Sequence, residues 1–400
     1  MKIAWVMSTL CLVGVVYAAV YQRQDDLVKN KASPAEVKKE KPADAFDMVK
    51  TVEDGSVGIA MMTKQAADRL QNQIHSAMFE KLCLALSQQA PYRVPTVGTP
   101  RRGAVAAILR WHCEHEVSES HKPRSIQEFF EQDWIKEGGQ AEILFMQRAT
   151  RKGDRKRWSG HVAFPGGKDE PGESDEDTVC REVLEEIGID LKSEDYLRVG
   201  QLDEREISSI KDNKLLMILV PFVYLQLIPN SPPFQLQTSE VASVRWVPLD
   251  FFLSSQPVPY QPITEPLSLV RQVHSTFLRS CLDLMLGTIT FASIDLPPTT
   301  DTHLFRLWGL TMGMTKDIVK QVDTQHSFFY RLTTRNPTFS RLDIGLLTFL
   351  VTWFKVHCSQ QTSTQNDWDN LYWKSIRMAV VLAIVFRASV LLVLLKLFIF

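Results

Sequence analysis

Gly166-Gly167-Lys168-Asp169-Glu170-Pro171-Gly172-Glu173, then residues 174–180, then Arg181-Glu182-Val183-Leu184-Glu185-Glu186-Ile187-Gly188-Ile189, is the stretch on which the reading of this chain turns. It is a Gly/Pro-rich loop, a helix and a glycine stop. Ser174 or Asp175 can cap the helix start, and acids in the first turn suit the positive end of the helix dipole. Gly188 stands where a helix end wants a residue free to take positive φ. The predicted helix spans Asp175–Ile187, with Val183, Leu184 and Ile187 as its docking face. Glu182, Glu185 and Glu186, at i, i+3 and i+4, share the other face. Three like charges so close repel, and Arg181 is the only basic residue on the helix to offset them. A divalent cation relieves the repulsion, and hard carboxylate oxygens select Mg2+ or Mn2+. Glu173 adds a further carboxylate from the loop, and Arg181 can pair with an acid to hold the array.

Outward from this helix, residues 104–109, 142–146, 215–227 and 241–247 are apolar-rich and strand-like. Strands before and after a central helix predict an α+β arrangement rather than a doubly wound sheet. Residues 66–86 carry Leu70, Ile74, Met78 and Leu82 at helical spacing, an amphipathic helix expected to pack on the domain. The six cysteines are scattered without CxxC pairing, which speaks for reduced thiols rather than a disulfide framework or zinc ribbon. His112-Cys113-Glu114-His115 lacks a second ligand pair at zinc spacing and reads as a strand end entering a loop. A formal net charge of −1 gives no reason to expect a nucleic-acid partner.

The ends differ from the middle. Residues 3–21 are almost wholly apolar and just long enough to cross a bilayer, as an anchor in competition with a signal peptide ending near Ala18-Ala19. Residues 378–400 form a second apolar stretch, interrupted by Arg387 and Lys396. It is expected to be a membrane segment, with a helix lying on the membrane surface as the alternative. Residues 344–354 are too short to span alone and are expected to form a core or interfacial helix. Arg23, Lys29 and Lys31 after the first stretch, with Lys355, Lys374 and Arg377 before the last, place the intervening chain on the cytosolic side.

At every specified position, residues 167–189 match the pattern G-x5-E-x7-R-E-U-x-E-E-x-G-U, with U aliphatic, and so resemble the Nudix hydrolases. Gly160-His161-Val162-Ala163-Phe164-Pro165-Gly166-Gly167 resembles the entry to that box in the coenzyme A diphosphatase branch. Glu240-Val241, Trp246-Val247-Pro248-Leu249 and Leu307-Trp308-Gly309-Leu310-Thr311 are similar to its later segments. The branch's upstream signature is only partly matched by Leu144-Phe145-Met146-Gln147-Arg148-Ala149. A longer gap follows, filled by a basic loop with Arg151, Lys152, Arg155, Lys156 and Arg157.

The resemblance implies an α/β/α sandwich with a mixed sheet and hydrolysis of a diphosphate bond. Coenzyme A or its acyl derivatives are the first expectation for substrate, giving 3′,5′-ADP and (acyl-)phosphopantetheine. ADP-ribose or another nucleoside diphosphate derivative is the alternative, and a catalytically silent, membrane-tethered nucleotide-binding module is a third reading. By the same resemblance Glu182 and Glu186 are the principal metal ligands, Glu185 a ligand or base, and Glu173 a further ligand. Arg181 orients its neighbours, and Glu240 is a base or ligand. Arg148, Phe164, Gly166 and Gly167 are expected at the substrate. The organisation implied is an anchor or signal at 1–22, a charged linker at 23–56 and a helical extension at 57–100. A hydrolase domain follows at 101–316, with an insertion at about 254–302, then a helical connection at 317–377 and a membrane segment at 378–400.

Overall fold

The computed structural model describes residues 57–95, 100–113, 117, 122–150, 160–208, 215–267, 270, 273, 275–298, 304–322, 327–333, 337–358 and 365–399. The first apolar stretch, the charged linker and the basic loop at 151–159 lie outside the described residues. The chain divides into two compact units, one of Met62–Ser340 and one that holds Arg341–Phe400.

In the larger unit, helix α1 (Val57–Gln88) precedes strand β1 (Arg102–His112). Two single-turn helices, α2 (Ile126–Phe130) and α3 (Asp133–Glu137), lead into β2 (Gln140–Arg148), β3 (Val162–Ala163) and β4 (Gly166–Lys168). Helix α4 (Asp175–Ile187) follows, then β5 (Tyr196–Gln201), β6 (Arg205–Ser208), β7 (Leu215–Gln226) and β8 (Val241–Pro248). These strands form one sheet with the order β3-β2-β1-β7-β5, β4 beside β1, β6 beside β7 and β8 beside β2. The sheet is mixed: β1 and β7 run parallel, from Arg102 opposite Ile218 to Leu109 opposite Leu225, and the other ladders are antiparallel. A βαβ-like crossover through α4 and the intervening strands is what permits that parallel pair.

Both sheet faces are covered, which is why β1 is buried along almost its whole length rather than on alternate residues. Ala104, Ala106, Ile108, Leu144, Met146, Val220 and Phe222 pack with Val179, Cys180, Val183 and Ile187 of α4. The opposite face joins Val105, Ala107, Leu109, Trp111, Phe145 and Val223 to Phe79, Leu82 and Leu86 of α1, and to Phe129, Ile318 and Phe329. The expected α+β sandwich is therefore present in this unit, with two details changed. Leu184 is half exposed and does not dock α4; Val179 and Cys180 do so in its place. In α1 only the last turns pack, through Phe79, Leu82, Cys83 and Leu86, while Leu70 and Ile74 face outward.

After β8 come α5 (Leu249–Leu253), β9 (Ile263–Pro266), α6 (Thr276–Leu286), β10 (Thr288–Phe291), β11 (Ser293–Asp295), β12 (Arg306–Trp308), α7 (Gly309–Val319), α8 (Phe328–Thr333) and β13 (Thr338–Phe339). Residues 254–302, expected as an insertion, contribute β9, α6, β10 and β11, which join later strands in a three-stranded sheet β13-β10-β9 and the pair β11-β12. The Trp308 segment returns to the box entrance, where the Thr311 hydroxyl donates to the Val162 carbonyl at 3.2 Å. Cys113 follows the last residue of β1, is buried, and its thiol donates to the Gly138 carbonyl at 3.0 Å, in keeping with a strand end.

The smaller unit holds α9 (Leu342–Cys358) and α10 (Gln365–Ile399). They pack through Ile344, Val351, Ile376, Ala379, Val380 and Ala383. Arg387, the charge that interrupts the apolar stretch, pairs with Asp343 of α9. Residues Lys374–Leu394 are long and apolar enough to cross a membrane, and most of that segment is exposed.

Candidate active site

Helix α4 begins at a well-made cap. The Ser174 hydroxyl accepts from the Asp177 N–H, and Gly188 closes the far end in the left-handed region at φ 77° with its N–H on the Leu184 carbonyl. A clamp on β1 fixes the first turn in space. The Arg102 guanidinium meets both carboxylate oxygens of Asp175, at 2.7 and 2.9 Å, and also reaches the buried Glu204 at 2.5 Å. Its main chain exchanges hydrogen bonds with Asp169, whose carboxylate takes the Arg102 N–H. Sequence reasoning missed this clamp. Its members lie 73 and 102 positions from Arg102, and no local pattern links them.

The box loop is held by Arg181. Its guanidinium donates to Glu173 at 2.7 and 3.0 Å, to Glu182 at 3.1 Å, to Glu185 at 3.4 Å and to the Lys168 carbonyl at 3.0 Å. Glu173 also takes the Glu170 N–H and the Thr178 hydroxyl. These donors, Arg181 first, hold its carboxyl at about 2, far below the usual carboxylate value.

The three box glutamates do not share one environment. Successive residues on a helix turn by about 100°, so Glu182 and Glu186 lie about 40° apart while Glu185 falls to the side. Glu186 is 2% exposed beneath the box entrance, where its carboxylate accepts the Gly166 N–H at 2.8 Å. Burial pushes its pKa up to about 7, against the pull of Gly166 and Arg148, and the neighbouring charges of Glu182 and Glu240 add to the rise. Glu182 is also raised, first by burial and then by Glu185 and Glu240. Glu185 is 54% exposed and reaches out to Arg181.

The glycines of the entrance act through close approach. Gly166 pairs with Val105, and a Cβ there would lie 2.2 Å from the Ala104 carbonyl oxygen. A Cβ at Gly167 would stand 2.3 Å from the carboxyl carbon of Glu182. Both positions shape the carboxylate pocket. Phe164, expected at the substrate, is instead buried in the core and stacked on Phe145 at 5.2 Å. Arg148 is partly exposed and its guanidinium stands 3.9 Å from Glu186, long for a hydrogen bond. Glu240 precedes β8; its main chain bonds to Ala149 and Gln237, and its charge bears on Glu182 and Glu186.

Among the described residues, no three His, Cys, Asp or Glu side chains stand together as a metal site. The expected set is spread out: Arg181 holds Glu173 and also bonds Glu182, the exposed Glu185 reaches it from the side, and Glu186 lies apart beneath the Gly166–Lys168 strand. The donor chemistry nevertheless fits a hard divalent cation. Glu182 and Glu186 are carboxylates held against one another and Glu240 in a half-dry site, with their ionised forms disfavoured.

The NUDIX domain family matches residues 134–265. An uncharacterized protein of Schizosaccharomyces pombe is 29% identical over 318 residues, covering 76% of this chain and 91% of that protein. A peroxisomal coenzyme A diphosphatase of Caenorhabditis elegans is 34% identical over 115 residues, 28% of this chain and 45% of the relative. A peroxisomal coenzyme A diphosphatase of Mus musculus is 30% identical over 129 residues, 32% of this chain and 49% of the relative. The chain thus spans about half the length of these two diphosphatases.

Proposed function

Because the chain carries a NUDIX domain and resembles the coenzyme A diphosphatase branch of the Nudix hydrolases, we propose that it cleaves a diphosphate bond with a divalent cation, Mg2+ or Mn2+, in coenzyme A or its acyl derivatives. The observation that carries this reading is the buried Glu186 carboxylate, set under the Gly166 N–H beside Glu182 and facing the Arg148 guanidinium. Glu182 and Glu186 would hold the cation. When bound, it supplies charge neutralisation at the phosphates and a more acidic water.

This chain's own residues set the rest. Arg181 and Arg102 keep the loop and the first turn of α4 in register with β1 and β4. Arg148 offers donors to a phosphate oxygen, since its contact with Glu186 is too long to satisfy it. Of the two carboxylates considered as proton acceptor, Glu240 bears on Glu182 and Glu186, whereas Glu185 is 54% exposed and turned to the side of the helix. We therefore assign the proton of the attacking water to Glu240. Water adds to one phosphorus, the bridging P–O bond breaks, and two phosphomonoesters leave. For coenzyme A these are 3′,5′-ADP and 4′-phosphopantetheine.

The membrane belongs to the same reading. Lys374–Leu394 would anchor the chain, with the hydrolase unit on the cytosolic side.

One assay tests the chemistry: full-length protein with Mg2+ or Mn2+ is given coenzyme A, acyl-coenzyme A, ADP-ribose and nucleotide sugars. Cleavage of coenzyme A substrates is expected. Preference for ADP-ribose would select the alternative substrate class, which the partial match at Leu144 to Ala149 leaves room for. Cleavage of none, with Glu186→Gln indistinguishable from the parent, would leave a binding module.

A further inference from the structure

Beyond the carboxylates, a line of aromatic rings leads away from the site along the edge of the sheet. His161 lies just before β3, and its carbonyl accepts the Arg148 N–H at 3.0 Å beside the β2–β3 ladder. The His161 ring packs edge-to-face on Trp308, with centroids 4.9 Å apart at 63°. Trp308 in turn meets Phe291 at 5.8 Å and 54°. All three side chains are half-buried. They come from three distant places: the box entrance, the closing segment and the last residue of β10 in the insertion. From the reacting centre outward the order is therefore Glu186, Arg148, His161, Trp308, Phe291.

We propose that His161, Trp308 and Phe291 form a shelf that stacks the purine base of the substrate's nucleotide half, with Arg148 taking the adjoining phosphate. The proposal rests on the diphosphatase reading and adds to it the residues that choose the substrate. Three π rings half-buried beside the Arg148 guanidinium, whose ion pair with Glu186 is long at 3.9 Å, suit a flat heteroaromatic group next to an anion. An aliphatic acyl or pantetheine chain would gain from the apolar burial alone. A purine gains stacking as well. Trp308 is the centre of the shelf, because it touches both of the other rings.

The test uses the full-length chain with two probes, ADP and 4′-phosphopantetheine, titrated calorimetrically, together with KM and kcat for coenzyme A. Trp308→Ala is expected to weaken ADP binding by about tenfold or more, the scale of one lost base–aromatic stack. It should raise KM for coenzyme A comparably, leave kcat within about twofold, and leave 4′-phosphopantetheine binding unchanged. Trp308→Phe should restore most of the loss. Should Trp308→Ala fail to fold, Phe291→Ala at the outer end of the shelf carries the same comparison. Unchanged ADP affinity in these variants, weakening of 4′-phosphopantetheine instead, or no ADP binding by the parent protein would overturn the shelf. The two readings separate cleanly. ADP held through Trp308 without hydrolysis of coenzyme A leaves the shelf standing and removes the substrate assignment, while normal KM in Trp308→Ala does the reverse.

Discussion

A single carboxylate, Glu186, shows how one side chain is given a different role from neighbours of the same type. It is buried, accepts one main-chain N–H, and feels Glu182 and Glu240. Glu186→Gln keeps an acceptor for Gly166 and removes a like charge, so the unfolding midpoint should hold or rise. Hydrolysis should fall by about hundredfold or more, since even residues that only support metal ligands typically cost 10–100-fold. Retained turnover with an unchanged melting curve would remove Glu186 from the mechanism. The opposite balance is expected at Glu142, 7% exposed and 2.6 Å from Arg110, whose guanidinium also lies over Trp246 at 4.2 Å. Glu142→Ala leaves that cation buried without its carboxylate. It should cost about 3–5 kcal/mol in denaturant titration, with the Mg2+ or Mn2+ requirement unaltered. Spacing made the glutamates of the box visible as a set, and only the family resemblance put Glu182 and Glu186 ahead of Glu185 and Glu173. Spacing says which residues share a helix face, whereas burial depends on where β4 and β1 lie across from it. Phe164 was misplaced for a related reason, because nothing in its local pattern tells a core ring from a ring that touches ligand.

At the level of elements, α4 is the best case for reading structure from sequence. Its limits Asp175–Ile187, its cap and its glycine stop all follow from local chemistry, and all are present. Its position is another matter, because it is set by Arg102 and Gly167 on strands that the helix sequence does not mention. Arg102→Ala removes the bonds to Asp175 and Glu204 together. Metal titration should show affinity weakened by about 10–100-fold, as for other residues that support ligands. Arg102→Lys should not restore it, for one ammonium cannot replace a fork that serves two carboxylates. Gly167→Ala tests the same fit from the strand side, since its Cβ would displace the Glu182 carboxyl. A Gly167→Ala protein with parental metal affinity would show that the strand does not define the site. Helix α1 fared worse in the sequence reading. Leu70 and Ile74 belong to the same periodic stripe as Leu82 but are more than half exposed, so the stripe is longer than the surface that buries it.

Across the whole molecule, the unit of Met62–Ser340 and the helix pair α9–α10 differ in how much apolar side chain they leave exposed. In the larger unit both sheet faces are covered, and the described apolar core is closed by α1, α4 and the later helices. In the smaller unit Val381, Val385, Phe386, Leu392 and Val393 are exposed along α10, and Trp353 and Phe354 along α9. Water penalises such a surface by about 25 cal/mol per Å2, and a bilayer does not. Arg387, whose charge argued against a span when read alone, has Asp343 as a partner, and pairing is what makes a charge tolerable at membrane depth. The full chain is therefore expected to stay with the membrane pellet through alkaline carbonate washing. A chain that stops at Ser340 should move to the supernatant, provided that residues 3–21 do not hold it, so the deletion is made with and without that first stretch. Turnover per folded molecule should be unchanged in the released protein, because every residue assigned to the chemistry lies between Arg102 and Trp308. A full chain that washes free of membrane would leave α9 and α10 as a cover for another protein rather than an anchor. Loss of turnover on release would mean that the helix pair takes part in forming the site.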